Sequence, residues 1–140
     1  NNFFITGVQL EVGQNPTSFE HEPVERTLAK CQRYFWNIQG NNQPVGAGAS
    51  WSDSYIHVNI THPVEMRANP DFVITTGTNY YQTPSGGGSW ETFNGDDDQQ
   101  FVSTLGSIVQ FNSGVSVTAG RSISVSTANS SADMAWNSEL

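Results

Sequence analysis

Five carboxylates spread along the chain, Asp53, Glu65, Asp71, Glu91 and Asp133, are the groups from which a glycan-cleaving site would be built. Such a site sets two carboxyl groups across a cleft at a separation fixed by the mechanism, and the spacing of these five singles out no pair. They read as solvated surface acids. Ser, His and Asp are all present, yet no Gly-x-Ser-x-Gly elbow occurs on which a serine nucleophile would be mounted. His57 and His62 are five positions apart, so a strand would turn them to opposite faces, a poor geometry for a shared metal. In a trimer, one histidine can still meet its copies on the axis. Cys31 is the sole cysteine, which excludes an internal disulfide and a cysteine-rich zinc site. It lies among Leu28, Tyr34 and Phe35 in a helical pattern, and a buried structural thiol is expected. The reading is therefore non-enzymatic, with no catalytic residue, metal or cofactor.

Asp96, Asp97 and Asp98 follow Asn94-Gly95 in an oxygen-rich turn of the kind that can hold Ca²⁺, without the spacing of an EF-hand. An acidic turn kept soluble by its charge is the expectation and calcium the alternative. As it stands, the run should disfavour anionic polysaccharide at low salt unless Ca²⁺ bridges the two. Trp51, Tyr80, Tyr81 and Trp90 lie in or beside stretches rich in Gly, Ser and Asn. Such rings stack on the apolar faces of sugars while their hydroxyl and indole N–H groups bond outward. With Asn79, Gln82 and Asn94 as hydrogen-bonding neighbours they form a candidate receptor-binding set. Core packing of at least two of the four rings is the alternative. The segment carrying most of them, 77–100, is long, polar and Gly-rich and reads as an exposed loop excursion, helped by 46–54.

Composition sets what must hold these residues. The 140 residues fit one domain with one core; 36% are apolar and only 13% charged, so the surface must be made largely of Ser, Thr, Asn, Gln and Gly, as in antiparallel β proteins. The formal charge is -8, and of the five basic residues only Arg67 and Arg121 lie beyond Arg33. That balance argues against nucleic acid and against anionic membranes. No apolar run reaches transmembrane length, and the first residues lack the pattern of a signal peptide.

Residues 2–12 alternate loosely, with Phe3, Phe4, Ile5, Val8, Leu10 and Val12, as a strand does, and are read as the end of something longer. A turn over 13–18 leads into a helix expected over 23–35. Pro23 suits its first turn, Glu20, Glu22 and Glu25 its positive end, and Lys30 and Arg33 its negative end. Val24, Leu28, Cys31 and Phe35 recur at spacings of four, three and four, an apolar stripe that needs a partner surface. Beyond Trp36 the chain reads as short strands, over 55–62, 71–76, 105–111, 115–118, 123–126 and 132–136, separated by Gly, Pro and Asn turns. Ile56, Val58 and Ile60 share one face of the first of these and are expected in the core with Val73, Val125 and Trp136.

Three segments resemble a recurring C-terminal layout of phage tail fibre and tail-associated proteins. Ile5-Thr6-Gly7-Val8-Gln9-Leu10-Glu11-Val12-Gly13, with Pro16-Thr17-Ser18-Phe19-Glu20, resembles the closing strand of a carbohydrate-binding-type β domain and its exit. Leu28-Ala29-Lys30-Cys31-Gln32-Arg33-Tyr34-Phe35 is similar to the helix that opens the terminal domain. Pro63-Val64-Glu65-Met66-Arg67-Ala68-Asn69-Pro70 and the ending Asn137-Ser138-Glu139-Leu140 also look like parts of such tips, whereas 75–102 has no counterpart. The resemblance implies an extracellular virion component, a homotrimer whose distal loops bind a host cell-surface glycan or protein, and no catalytic residue. The fold class expected is all-β, an antiparallel β-sandwich of jelly-roll type with one short N-terminal helix. Its divisions are a closing strand and linker over 1–18, a helix and connector over 19–38 and the tip domain over 39–140. The rival reading is a purely structural trimerisation or capping domain of a virion appendage, without a ligand. A depolymerase accessory would require an acidic cleft that the sequence does not display.

Overall fold

The computed structural model describes residues 8–15, 17–19, 21–86, 88–95, 98–112 and 114–139. Among the described residues one helix, α1 (Val24–Gln32), is followed by ten strands: β1 (Phe35–Gln39), β2 (Pro44–Ser52), β3 (Tyr55–Thr61), β4 (Asp71–Ile74), β5 (Tyr81–Gly86), β6 (Ser89–Phe93), β7 (Asp98–Val102), β8 (Gly106–Phe111), β9 (Ser122–Thr127) and β10 (Asp133–Asn137). They form two sheets, β1-β10-β4 and β6-β5-β9-β2-β3-β8-β7, and every pairing is antiparallel. The fold is mostly β, a sandwich with one short helix.

Period-two alternation builds the core. β3 turns Ile56, Val58 and Ile60 inward, β8 contributes Val109 and Phe111, β9 Ile123 and Val125, and β10 Met134 and Trp136. Trp136 ties the two sheets together, because its indole N–H on β10 donates to the Ser107 hydroxyl on β8 at 3.0 Å. It also stacks on Trp36 of β1, ring centres 4.5 Å apart and planes within 10°. Of the expected core, Val73 alone is misplaced: it is 61% exposed, because β4 turns its neighbour Ile74 inward.

Other expectations also change. Residues 8–12 are exposed and form no strand, while 2–7 lie outside the described residues. The helix stops at Gln32, and Phe35 begins β1, so the supposed connector already belongs to the small sheet. No residue of α1 is buried, and Cys31 is exposed rather than buried. The reason lies in how the helix meets the body: it turns Ala29 and Gln32 partly inward and leaves Val24, Leu28 and Cys31 facing out. The stretch 46–49, read as loop, is the middle of β2, paired on both sides. Its glycines allow a close approach there, since a Cβ on Gly46 or Gly48 would run into the Asn59 or His57 carbonyl oxygen of β3. The supposed loop excursion over 77–100 is the β5–β6 hairpin and edge strand β7. Pro84 is tolerated in β5 because the ladder with β9 covers only Tyr81 and Gln82. Residues 115–118 form no strand.

His62, just past β3, is buried against Trp36 and Trp136. Its Nδ1 lies 3.2 Å from the Thr104 carbonyl, which can only accept, so Nδ1 carries the proton and Nε2 is bare. Among the described residues Nε2 has no partner. Burial holds this imidazole below its usual range, with the Thr104 contact opposing. The unfolded chain therefore binds the extra proton first. Stability should fall as pH drops below the unfolded value of about 6.5, until the folded imidazole takes up its proton as well. Melting curves between neutral and mildly acidic pH check this against His62→Phe, which should lose that part of the pH dependence. Parallel curves for the two proteins would refute it.

Candidate functional site

The expected receptor-binding residues separate into two groups. Tyr81 is fully buried between Phe93 and Phe111, and its hydroxyl donates to the carbonyls of Thr75 at 3.1 Å and Asp133 at 3.2 Å. Burial, and then the nearby Asp133 carboxylate, push that hydroxyl above its ordinary range, so it stays protonated. Tyr81 is a core residue, not a surface contact. The cause is parity, since β5 turns Tyr81 and Thr83 inward together. Tyr80 is half-buried and packs on the same core. Asn79 has φ of 60°, a left-handed turn conformation that asparagine tolerates, and its N–H donates to Asn94 Oδ1 at 3.1 Å. Thr92 in turn donates to Asn79 Oδ1 at 3.0 Å. Asn79 and Asn94 thus pin the 77–80 turn to the end of β6.

Trp51, Trp90 and Gln82 form the second group, on the outward face of the seven-stranded sheet. Trp51, 78% exposed, sits at a bulge of β2 and stacks on His57 of β3, ring centres 5.8 Å apart. His57 Nε2 lies 2.9 Å from Gln110 Oε1 on β8, so a cross-strand bond orients the imidazole beneath the indole. Trp90, 55% exposed, faces out from β6 opposite Pro84. Gln82 donates to Ser126 Oγ at 3.1 Å and to Asn42 Oδ1 at 3.4 Å.

Between the two indoles the sheet is smooth. Ala47 and Ala49 of β2 pair with Ser124 and Ser122 of β9, all four exposed. One row continues across the sheet, from Ser124 through Ala47, Asn59 and Ile108 to Phe101, which is 67% exposed. Beside Phe101 the surface dips into an open depression of about 340 Å³ bordered by Asn59, Thr61 and Ile108. Exposed rings over a floor of small and polar side chains offer stacking area with hydrogen-bonding groups at hand. Tyr55, His57, Asn59, Phe101 and Gln110 were not among the expected contacts. The alternation of Tyr55, His57 and Asn59 with buried Ile56, Val58 and Ile60 was the signal that could have found three of them.

The calcium reading of Asp96 and Asp97 lies outside the described residues, and of Asp98 the structure gives the start of β7. Among the described residues no group of three or more His, Cys, Asp or Glu side chains converges as metal ligands would. No described helix is long and apolar enough to cross a membrane. Comparison of the chain with known protein families, curated proteins and solved structures finds no match in any of the three.

Proposed function

We propose that this chain is the attachment tip of a viral tail fibre, a homotrimer that binds a host cell-surface glycan on the outward face of its large sheet. The observation that carries the reading is the pair Trp51 and Trp90, exposed on one face with a smooth floor between them. An indole left in water costs free energy that a sugar's apolar face relieves. The site therefore moves from the loops first expected to the strands themselves. The resemblance of the opening segment and of residues 28–35 to tail fibres supports the same assignment. A jelly-roll winding is part of this reading: consecutive strands β8 and β9 flank the β2–β3 hairpin.

Trimerisation rests on α1. A helix of nine residues is marginal in water on its own, and this one leaves Val24, Leu28 and Cys31 uncovered. Their spacing of four and three is that of a coiled-coil seam. The same stripe favours the structural rival, which keeps the trimer and drops the ligand. Light scattering in dilute neutral buffer should give three times the 15.3 kDa chain mass. Leu28→Lys should lower it to one chain without unfolding the sheets, because Leu28 is already 53% exposed. A clean monomer for the unaltered protein would remove the trimer.

Glycan recognition is read separately, on an array of bacterial surface polysaccharides. Trp51→Ala and Trp90→Ala should each weaken binding about tenfold or more, the scale of a truncated aromatic anchor. Three weak sites on one trimer add avidity, so the double variant should fall below detection. Undiminished binding by a folded double variant would take the site off this face, and no binding by the unaltered domain would leave the structural rival.

A further inference from the structure

A second recess lies at one end of the large sheet, between the β5–β6 hairpin and residues 116–121, and holds about 220 Å³. Arg121 stands on its rim. The other four cations, Arg26, Lys30, Arg33 and Arg67, belong to α1 or its surroundings: the Arg67 N–H donates to the Arg33 carbonyl at 2.8 Å. Arg121 reaches across the mouth, donating from Nη1 to the Ser85 carbonyl of β5 at 2.8 Å. Among the described residues no carboxylate forms an ion pair with it. The remaining N–H groups of the fork are thus available to a ligand. Glu91 of β6 brings an acceptor to the same recess, Ser116 and Thr118 bring hydroxyls, and Pro84 and Val117 give it an apolar wall.

The segment bearing Arg121 is fixed in advance. Ser50, buried at the end of β2, accepts from the Arg121 N–H at 2.9 Å and donates to the Thr118 carbonyl at 2.5 Å. Its own backbone N–H donates to the Arg121 carbonyl at 2.9 Å, and its carbonyl accepts from the Gly120 N–H at 2.8 Å. Asp53 holds the same segment, accepting from the Ala119 N–H at 2.9 Å through its carboxylate and from the Val117 N–H at 3.1 Å through its carbonyl. A ligand arriving here meets donors already in position and avoids much of the ordering cost of a mobile loop.

The geometry points to a subsite for one neutral pyranose ring, the end or a branch of the glycan whose chain lies on the aromatic face. It rests on the glycan-attachment reading and supplies its ligand class. One guanidinium and one carboxylate leave the recess with no net charge. Vicinal hydroxyls satisfy both, accepting from Arg121 and donating to Glu91, whereas a ligand carboxylate would face Glu91 inside a chain of charge -8. The ring's apolar face suits Pro84 and Val117. Pro84 also connects the two surfaces, since it walls the recess and is the ladder partner of Trp90.

The test is a titration of the whole domain with the methyl glycosides of glucose, galactose and mannose, and with methyl glucuronide at matched ionic strength. Two-dimensional N–H spectra follow the Arg121 side chain, the 116–121 amides and the indoles of Trp51 and Trp90. At least one neutral glycoside should shift the Arg121 and 116–121 signals saturably, with Kd on the order of 1–10 mM. Arg121→Gln and Glu91→Gln should each weaken this about tenfold at an unchanged melting temperature, and the glucuronide should bind more weakly than its neutral counterpart. Absence of saturable shifts at Arg121 with every neutral glycoside overturns the subsite, as does tighter binding of the glucuronide. Shifts confined to the indoles overturn the subsite and leave the aromatic face standing. Shifts confined to Arg121 and 116–121 keep the subsite and count against the aromatic face.

Discussion

Replacing Tyr81 by Ala should cost about 3–5 kcal/mol, enough to remove much of the stability of a domain this size. The ring fills space between Phe93 and Phe111, and its loss opens a cavity where β5 and β6 meet β8. Tyr81→Phe separates packing from polarity. It keeps the ring and takes the hydroxyl donor from the Thr75 carbonyl, while the Asp133 carbonyl still accepts from the Thr75 N–H, so it should cost about 1 kcal/mol. Trp90→Ala, on the other strand of the same hairpin but on its outward face, should stay within about 0.5 kcal/mol. Urea midpoints of the three variants decide the matter. If Tyr81→Ala matched Trp90→Ala, the inward parity of β5 would be wrong and Tyr81 would return to the binding surface.

Trp136→Ala should have the other large effect, again about 3–5 kcal/mol, seen as a fall in melting temperature of roughly 10–20 °C. Here one side chain carries three kinds of contact. It is fully buried, it stacks on Trp36, and it packs beside Phe72 at 5.1 Å between ring centres. It is also the polar tie between the sheets, through the Ser107 hydroxyl. Removing it leaves a void and an orphaned hydroxyl together. Trp136→Phe keeps most of the ring volume and loses the donor, so it should fall well short of the alanine variant. Equal losses for both would mean that the Ser107 bond, and not the packing, joins the sheets.

The periodic parts of this fold were legible in the residues. Ile56, Val58 and Ile60 announce a half-buried strand, and β3 is that strand, because alternation reports which side of a backbone faces water whatever the neighbours are. The helix was legible for the same reason, from Pro23 and the terminal charges, although Phe35 was drawn into it by a spacing that the small sheet overrides. β2 escaped notice, since Gly46, Ala47, Gly48 and Ala49 have neither strand propensity nor alternation. The glycines let β3 approach closely, which only the neighbouring strand reveals. The 77–100 segment was misread likewise, because Pro and Gly punctuate it while Tyr81, Thr83 and Phe93 are claimed by a core made elsewhere.

The candidate site divides along the same line. Residue types alone identified Trp51 and Trp90 as rings able to stack on a sugar, a property of the side chain that needs no fold. Which rings are available to do so is a long-range matter. Tyr81 and Trp90 belong to two strands of one hairpin, yet strand parity sends one into the core and the other into water. Arg121 and Ser85 are 36 positions apart, and their meeting across the recess is set by where β5 and β9 fall in the sheet order. Composition and spacing thus determined a polar, mostly β domain with an apolar helix stripe and surface-capable indoles. Tertiary structure decided which of those groups share a face, because strand order and register bring together residues whose separation along the chain carries no signal.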